Sequence, residues 1–130
     1  MPWPFGRRGP VGRRGERVAR RFLRKAGLRI LAENFRCPAG EIDLIALDRA
    51  TRQADGAETI AFVEVKTRSS ADQTRPEAAV DADKRARIQS AAAYYLRHYP
   101  TEGYRHRYDV VAVILPEGGK PQITHTRNAF

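Results

Sequence analysis

The sequence predicts an α/β domain in which helices flank a central mixed sheet. Two segments have apolar residues at helical spacing, and apolar runs of strand length lie between and after them. The order strand, helix, strand across residues 58–115 indicates two parallel strands joined by a crossover helix. The strands before it are joined by short connections, which favour antiparallel pairing. Together these connections predict one sheet that contains both parallel and antiparallel pairs.

Residues 1–14 are rich in Pro, Gly and Arg and are predicted to form a flexible basic tail, with a single domain over residues 15–130. The first helix is predicted in "GERVARRFLRKAG", which Gly27 is suited to end. Glu16 lies at the rim of the apolar stripe of this helix. The arginines gather on the opposite side. They are Arg13, Arg17, Arg20, Arg21 and Arg24.

A three-stranded meander is predicted next. The segment "LRILAENFRC" reads as a strand, "PAG" as a turn and "EIDLIAL" as a second strand, which together form a hairpin. The loop "DRATRQADGAE" contains the turn pair Asp55-Gly56 and leads to a third strand within "ETIAFVEVKT".

The second half of the chain contains a helix and two strands. After a polar loop through Pro76, "DADKRARIQSAAAYYLRHY" predicts the second helix, which Pro100 ends. The run "RYDVVAVIL" predicts a central strand covered on both faces, and "QITHTRNAF" an added edge strand. Asp109 begins the central strand and is expected to bond neighbouring backbone or Arg107.

Length and composition favour one reduced, globular domain. A chain of 130 residues can bury a core without disulfides, and the single cysteine, Cys37, has no internal partner. No apolar run reaches the length that spans a bilayer, and the first residues lack the apolar stretch of a signal peptide. We therefore expect a cytoplasmic protein that does not contact membranes.

Basic residues dominate the charge. The chain has 24 Lys and Arg against 15 Asp and Glu, a net charge of +9. Such a field attracts polyanions. Nucleic acid is favoured over a membrane surface, because no basic amphipathic segment also contains bulky apolar anchors. Charge by itself is weak evidence, since it also aids solubility.

Two neighbouring strands contain ionisable residues inside apolar runs. Asp43 lies in "GEIDLIA", and Glu64 and Lys66 lie in "FVEVK", where alternation places both on one strand face. Two carboxylates about 4 Å apart repel by roughly 4 kcal/mol at an effective dielectric constant of 20. Lys66 can offset one charge, and Mg²⁺ or Mn²⁺ the rest. A metal that polarises a phosphoryl oxygen, beside an ammonium that positions water, suits phosphodiester hydrolysis.

This pattern resembles the Asp, Glu-x-Lys motif of nucleases with a restriction-endonuclease-like fold. The segments "GRRGERVARRFL", "NFRCPAGEIDLIAL", "AFVEVKTR" and "YDVVAV", with the helix beginning near Lys84, more closely resemble the YraN family of bacterial proteins. The resemblance covers roughly residues 12–115 and is more specific than a three-residue motif. The fold of this family is similar to that of archaeal Holliday-junction resolvases, which implies a role on branched DNA.

The resemblance also implies roles for individual residues. Asp43 and Glu64 match the metal ligands, with the Val65 carbonyl as a further ligand, and Lys66 matches the catalytic lysine. Glu16 matches an acid that resolvase-like proteins direct into the same site. Ile42 stands where the motif often has proline, a common variation. Resolvase-like activity further implies two sites in symmetric register and hence a homodimer, although no sequence patch marks a twofold surface.

Other charged residues near the motif have less specific interpretations. Arg68 follows the site strand directly and is predicted to contact phosphate. Glu41 is interpreted as a turn residue, although it shares a strand face with Asp43. Lys84 and Gln89 are interpreted as residues of a solvated helix face. The residues expected to hold the nucleic-acid backbone are Arg13, Arg17, Arg20 and Arg68.

We therefore expect a Mg²⁺-dependent nuclease that hydrolyses phosphodiester bonds in DNA. One alternative is a nucleic-acid-binding module that has the nuclease-like fold without catalysis; it predicts salt-sensitive DNA binding that survives Asp43→Asn. The other is an interaction protein in which the acids and the lysine form a buried network. That alternative predicts a large loss of stability on Lys66→Met, because the change leaves a buried carboxylate unpaired.

Overall fold

The computed structural model describes residues 9–52, 56–69 and 81–130. Within these ranges the chain forms two α-helices and five strands in the predicted order, with a short 3-10 turn after the second strand. The elements are α1 Pro10–Lys25, β1 Arg29–Cys37, β2 Gly40–Asp48, β3 Thr59–Ser69, α2 Ala82–His98, β4 Arg105–Leu115 and β5 Gln122–Thr126. The predicted loop through Pro76 and Asp55 of the predicted turn pair lie outside the described residues.

The described strands form one mixed sheet in the order β1-β2-β3-β4-β5. The pairs β1-β2, β2-β3 and β4-β5 are antiparallel, and β3-β4 is parallel. The helix α2 connects the two parallel strands. The predicted α/β class, meander, crossover helix and edge strand are therefore confirmed. The arrangement is consistent with a restriction-endonuclease-like fold.

Each helix covers one face of the sheet. On one face α2 packs against Ile45 and Phe62, and on the other α1 packs against Val63 and Val111. Successive strand residues point to opposite faces, so the apolar run of β3 supplies both cores. None of the helices in the described ranges is both long and apolar enough to cross a membrane.

The first helix begins earlier than the sequence predicts. Pro10 stands in its first turn, where the missing N–H of proline costs nothing. Residues 10–14 are therefore helical and are not part of the predicted flexible tail, while residues 1–8 lie outside the described residues. Gly27 follows the helix with a φ of 95°, the left-handed conformation that glycine favours after a helix end.

Two glycines let the helices approach the sheet beside the strands that contain the acids. A Cβ on Gly15 would lie 1.9 Å from Thr67 Oγ1, and one on Gly40 would lie 2.6 Å from the backbone oxygen of Arg87. Both distances are far inside van der Waals contact. Glycine therefore allows α1 to pack on the end of β3, and the start of β2 to pack on α2.

A buried polar cluster ties together β2, β4 and β5 on the face that α1 covers. Arg107 Nε donates to Asp109 Oδ1 at 2.9 Å, Arg107 Nη1 lies 2.9 Å from Asp48 Oδ2, and His125 Nε2 lies 2.9 Å from Asp109 Oδ2. The predicted pairing of Asp109 with Arg107 is confirmed. Burial opposes ionisation of Asp109, but the contacts with His125 and Arg107 outweigh it and hold its pKa below the ordinary value.

Candidate functional site

Asp43 lies where the pairing between β2 and β3 ends. The last paired residues are Leu44 and Val63. One step further along, Asp43 Oδ2 accepts a hydrogen bond from the backbone N–H of Val65 at 2.7 Å. The carboxylate thus takes the place of a backbone acceptor, and its side chain is only 2% exposed. Its neighbours Ile42 and Ile45 both belong to the core that α2 covers, so the regular alternation of strand faces is interrupted at Asp43, and its carboxylate is directed toward β3.

The backbone carbonyl of Val65 is directed toward the same gap. A strand residue turns its N–H and its C=O to the same neighbouring strand. Because the N–H of Val65 bonds to Asp43, its carbonyl also faces β2 at the point where regular pairing has stopped. This is the direction that the predicted metal ligand requires.

Glu64 is buried between the sheet and the first turn of α2. Its side chain is 3% exposed, and Lys84 Nζ lies 2.5 Å from its Oε1. Asp81 caps the helix by accepting a hydrogen bond from the backbone N–H of Lys84 at 2.8 Å. The interpretation of Lys84 as a residue of a solvated helix face is therefore wrong, because its ammonium group pairs with a buried carboxylate of the site.

Lys66 lies half-buried on the same face of β3. Burial, followed by repulsion from Lys84, lowers the pKa of Lys66 to about 8, while the charge of Glu64 acts in the opposite direction. Within the described residues Glu64 has its ion pair with Lys84. The charge of Glu64 therefore acts on both Lys84 and Lys66, so the compensation that the network alternative assigned to Lys66 is shared with Lys84.

Glu16 reaches the sheet from the other side. It is buried beside Ala19 on α1, as its place on the apolar stripe predicts. Its neighbour Gly15 contacts Thr67, which alternation places on the face opposite Glu64. In residues 9–52, 56–69 and 81–130, no three His, Cys, Asp or Glu side chains form a group able to hold a metal. The structure therefore brings Asp43 toward the Glu64 strand and places Glu16 on α1, the helix that packs on the opposite face of that strand.

The donor set suits a hard divalent cation bound together with an anion. Two buried carboxylates and a backbone carbonyl are oxygen donors of the kind that Mg²⁺ binds, often with substrate phosphate completing its shell. Asp43 and Glu64 supply two negative charges, and Lys66 and Lys84 supply two positive ones. A divalent ion added to this balanced set leaves excess positive charge, which phosphate would neutralise.

The arginines predicted to bind nucleic acid lie in different surroundings. Arg13 and Arg17 are exposed on α1, whereas Arg20 pairs with Glu33 of β1. Arg68 lies near the end of β3, where its Nη1 donates to the carbonyl of Thr67 at 3.4 Å. Arg17 therefore offers phosphate an exposed guanidinium, while Arg20 is shared with an acid.

Glu41 stands at the entrance of β2 and not in the turn itself. Its Oε2 lies 3.4 Å from Arg36 Nε, across the first hairpin. The strand register pairs the same two residues directly. Glu41 therefore belongs to a cross-strand ion pair, which corrects its interpretation as a turn residue.

Comparison with known proteins identifies relatives along most of the chain. Residues 15–113 match the model of "Uncharacterised protein family UPF0102", a range that contains every acid and lysine described above. A UPF0102 protein of Pelobacter propionicus is 40% identical over 120 residues, which cover 92% of this chain and 81% of that protein. One of Nocardia farcinica is 42% identical over 120 residues, with coverages of 92% and 88%. One of Solibacter usitatus is 45% identical over 121 residues, with coverages of 92% and 84%.

Proposed function

The chain belongs to the protein family UPF0102, the YraN family that its motifs resemble, and we propose that it is a metal-dependent nuclease that hydrolyses phosphodiester bonds in DNA. One observation supports this most: Asp43 leaves regular strand pairing and bonds to β3 between Glu64 and Lys66. A buried carboxylate at a break in the sheet is costly unless it has a partner or a function. Branched or repair-related DNA is the expected substrate.

Each residue of the site has a part in this mechanism. Asp43, Glu64 and the Val65 carbonyl would hold Mg²⁺ or Mn²⁺. Such an ion, when bound, polarises a phosphoryl oxygen and lowers the pKa of a bound water. Lys66 would donate hydrogen bonds to that water and to the developing negative charge. With a pKa of about 8, Lys66 is mostly protonated at neutral pH and can act as this donor.

Lys84 would exchange its partner when substrate binds. Its side chain is 33% exposed, so it can turn from Glu64 toward a phosphate without crossing the core. This exchange would free Glu64 as a ligand and neutralise charge on the DNA backbone. Arg13, Arg17, Arg20 and Arg68 would bind flanking phosphates. Glu16, at the far side of β3, would assist from the end of the sheet.

Calorimetric titration of Mn²⁺ tests the metal site. The wild type and Asp43→Asn are each titrated in the presence of a non-cleavable branched DNA, so that phosphate can complete the metal shell. We expect stoichiometric binding in the wild type and its loss in Asp43→Asn. Glu102→Gln, which alters an exposed carboxylate, should bind like the wild type. No binding by the wild type would eliminate the proposed mechanism.

A second candidate is a DNA-binding module without catalysis. Two observations favour it: Glu64 is already paired with Lys84, and the described residues contain no group of three acids able to hold a metal. In that case Asp43→Asn binds DNA as tightly as the wild type, and neither yields product with Mn²⁺. Incubating both with nicked, branched and single-stranded DNA, with Mn²⁺ or with EDTA, separates the two functions, because product that requires both Mn²⁺ and Asp43 establishes catalysis.

A further inference from the structure

A basic groove that includes none of the acid-site residues runs along α1. It has a volume of about 1080 Å³ and lies between α1 and the residues that lead into β5. Arg14 and Lys25 lie near its two ends, and Lys120 and Pro121 form part of the opposite wall. Of its cations, Arg17 and Arg20 are among the residues predicted from the sequence to bind nucleic acid, whereas Arg14, Lys25 and Lys120 are not.

The cations of the groove lack acidic compensation. No Asp or Glu lines it, and in the part of the chain that the structure describes only Arg20 of its cations is paired, with Glu33. The cations without a carboxylate partner there are Arg14, Arg17, Arg21, Arg24, Lys25 and Lys120. Six like charges along one groove repel each other, and a bound polyanion would remove that repulsion.

The floor of the groove is apolar and contains an aromatic ring. Val18, Phe22 and Ile123 line it and are each only partly buried. The ring of Phe22 packs edge-on against the ring of His125, with the ring centres 6.2 Å apart, and this contact helps to fix the orientation of Phe22. A basic groove with an accessible aromatic ring is the combination that binds single-stranded nucleic acid, because unpaired bases can stack on the ring while phosphates contact the cations. The bases of a duplex are stacked on each other inside the helix, so they are not available to stack on Phe22.

The dimensions suit a short stretch of one strand. From Arg14 to Lys25 the helix advances about 16 Å at 1.5 Å per residue. This distance accommodates a few nucleotides of one strand, since successive phosphates of a single strand are farther apart than the roughly 3.4 Å rise of a duplex. The end at Arg14 adjoins Gly15, which contacts Thr67 two residues beyond Val65. The groove therefore ends beside the strand that contains Glu64 and Lys66.

From these features we infer that the groove binds single-stranded nucleic acid and leads it toward the end of β3. Binding in the groove does not depend on hydrolysis at the acid site. Only the direction of the path rests on the proposed function. A strand that enters along α1 would reach the sheet where α1 and β3 meet, next to Arg68.

Fluorescence anisotropy with a labelled oligonucleotide of about 12 nucleotides tests this inference. The groove variant is Arg17→Gln/Arg21→Gln/Arg24→Gln. The matched control is Arg49→Gln/Arg87→Gln/Arg97→Gln, which removes the same charge from exposed positions outside the groove. Measurements in EDTA exclude metal-dependent cleavage. We expect the groove variant to bind at least about tenfold more weakly. The slope of log K against log salt should also fall by about 2, since each of the three lost phosphate contacts accounts for roughly 0.7 on a single strand. Equal losses in the two variants would overturn the inference.

Phe22→Leu tests the part played by the floor. It should weaken binding of the single strand about fivefold, because stacking of a base is lost, and should leave binding of a duplex of equal length unchanged. Circular dichroism and thermal melting check that the variant is folded. Tighter binding of duplex than of single strand by the wild type would contradict the inference. If binding in EDTA depends on the groove but Mn²⁺ yields no product, the nuclease proposal fails and the groove inference holds. If the groove variant binds the single strand as tightly as the wild type while Mn²⁺ yields product, the groove inference fails and the nuclease proposal holds.

Discussion

At the scale of single residues, the partner of Glu64 decides how the site can work. The sequence places Lys66 beside Glu64 on one strand face, but the ammonium of Lys84 is the group 2.5 Å from its carboxylate. Lys66 is therefore left as a half-buried cation whose pKa is lowered to about 8. Under the proposed function, Lys84 would hold Glu64 before substrate binds, and Lys66 would act on the substrate.

Lys84→Met should increase the affinity of the site for Mn²⁺ in the absence of DNA. The ammonium of Lys84 competes with a metal for Glu64, and its removal frees a buried carboxylate. We expect about tenfold tighter binding, equivalent to about 1.4 kcal/mol. Calorimetry without DNA measures it, with Arg87→Met as a control on the exposed face of the same helix. Unchanged affinity would show that Glu64 does not bind the metal.

Lys66→Met should leave the protein as stable as the wild type or more stable at pH 7. The folded state lowers the pKa of Lys66 from 10.5 to about 8, so it disfavours the charged form. The wild type therefore gains stability as the pH rises from about 8 to about 10.5, and this gain should be absent in the variant. The difference at pH 7 is on the order of 0.5–1 kcal/mol, since solvent screens a half-exposed group.

Urea unfolding of both proteins at pH 7, 9 and 10 measures the effect of Lys66→Met on stability. A loss of about 3 kcal/mol or more at pH 7 would instead identify Lys66 as the partner of a buried acid. Hydrolysis, if present, should fall by about 100-fold or more, because a donor to the developing charge is removed. Unchanged stability with reduced hydrolysis would indicate a functional role for Lys66, whereas a large loss of stability would indicate a structural one.

At the scale of elements, the contact between α1 and β3 positions Glu16 and the basic groove. Gly15 allows the helix to pack on Thr67 with no side chain between them. The same contact places Glu16 at the sheet and the end of the basic groove beside the site strand. A shift of α1 away from β3 would therefore alter the groove and the position of Glu16 together.

Gly15→Ala should force α1 away from β3. The added Cβ would lie 1.9 Å from Thr67 Oγ1, far too close for small adjustments. We expect a loss of about 1–3 kcal/mol in the free energy of unfolding, the usual cost of overpacking. Urea unfolding measures it. Gly9→Ala, at the N-cap of α1 and with open space around it, should cost less, about 0.5–1 kcal/mol, because alanine is a poorer N-cap than glycine. Equal effects of the two changes would contradict the close packing.

At the scale of the whole molecule, the sheet separates two polar regions that differ in composition and position. The pair Glu64 and Lys84 lies on the face covered by α2, near the end of β3. The cluster around Asp109 lies on the face covered by α1, where it joins three strands. We interpret the cluster around Asp109 as structural, because Arg107 and Asp109 are buried and hydrogen-bonded to each other. The predicted homodimer and the preference for branched DNA stay predictions.

Asp109→Asn should reduce stability at pH 7 and remove part of its acid dependence. The pKa of Asp109 in the folded protein is below the ordinary value of 3.8, so ionised Asp109 stabilises the fold above that value. This contribution is lost as the pH falls through the lower folded pKa. We expect a loss of about 3–5 kcal/mol at pH 7, because Arg107 loses a charged partner.

Unfolding of Asp109→Asn and the wild type by urea between pH 7 and pH 2 checks this dependence. The difference between the two proteins should shrink as the pH falls below 3.8. Asp83→Asn, which alters an exposed acid on α2, serves as the control and should follow the wild type. A difference that stays constant with pH would show that the ionised form of Asp109 does not support the fold.

The elements, their order and the class of the sheet can be predicted from the amino-acid sequence alone. Helical spacing, strand-length apolar runs and the strand, helix, strand order are local properties, and all are visible along the chain. The sequence also identified Asp43, Glu64 and Lys66, because charged residues inside apolar strands are conspicuous. The burial of Glu16 followed from its position on the stripe of α1. The start of that helix at Pro10 was missed, because glycine and arginine next to proline resemble a tail.

Which groups share an environment becomes visible only in the folded chain. Lys84 is 20 residues from Glu64 and looked like an ordinary surface lysine, yet the start of α2 lies over the end of β3 and brings the two charges together. The groove also required the packing of α1 beside Lys120 and Ile123. A sequence pattern shows which residues share a face of a single helix or strand. Contacts between elements depend on how those faces pack, so partner choice and cavity shape arise only in the folded chain.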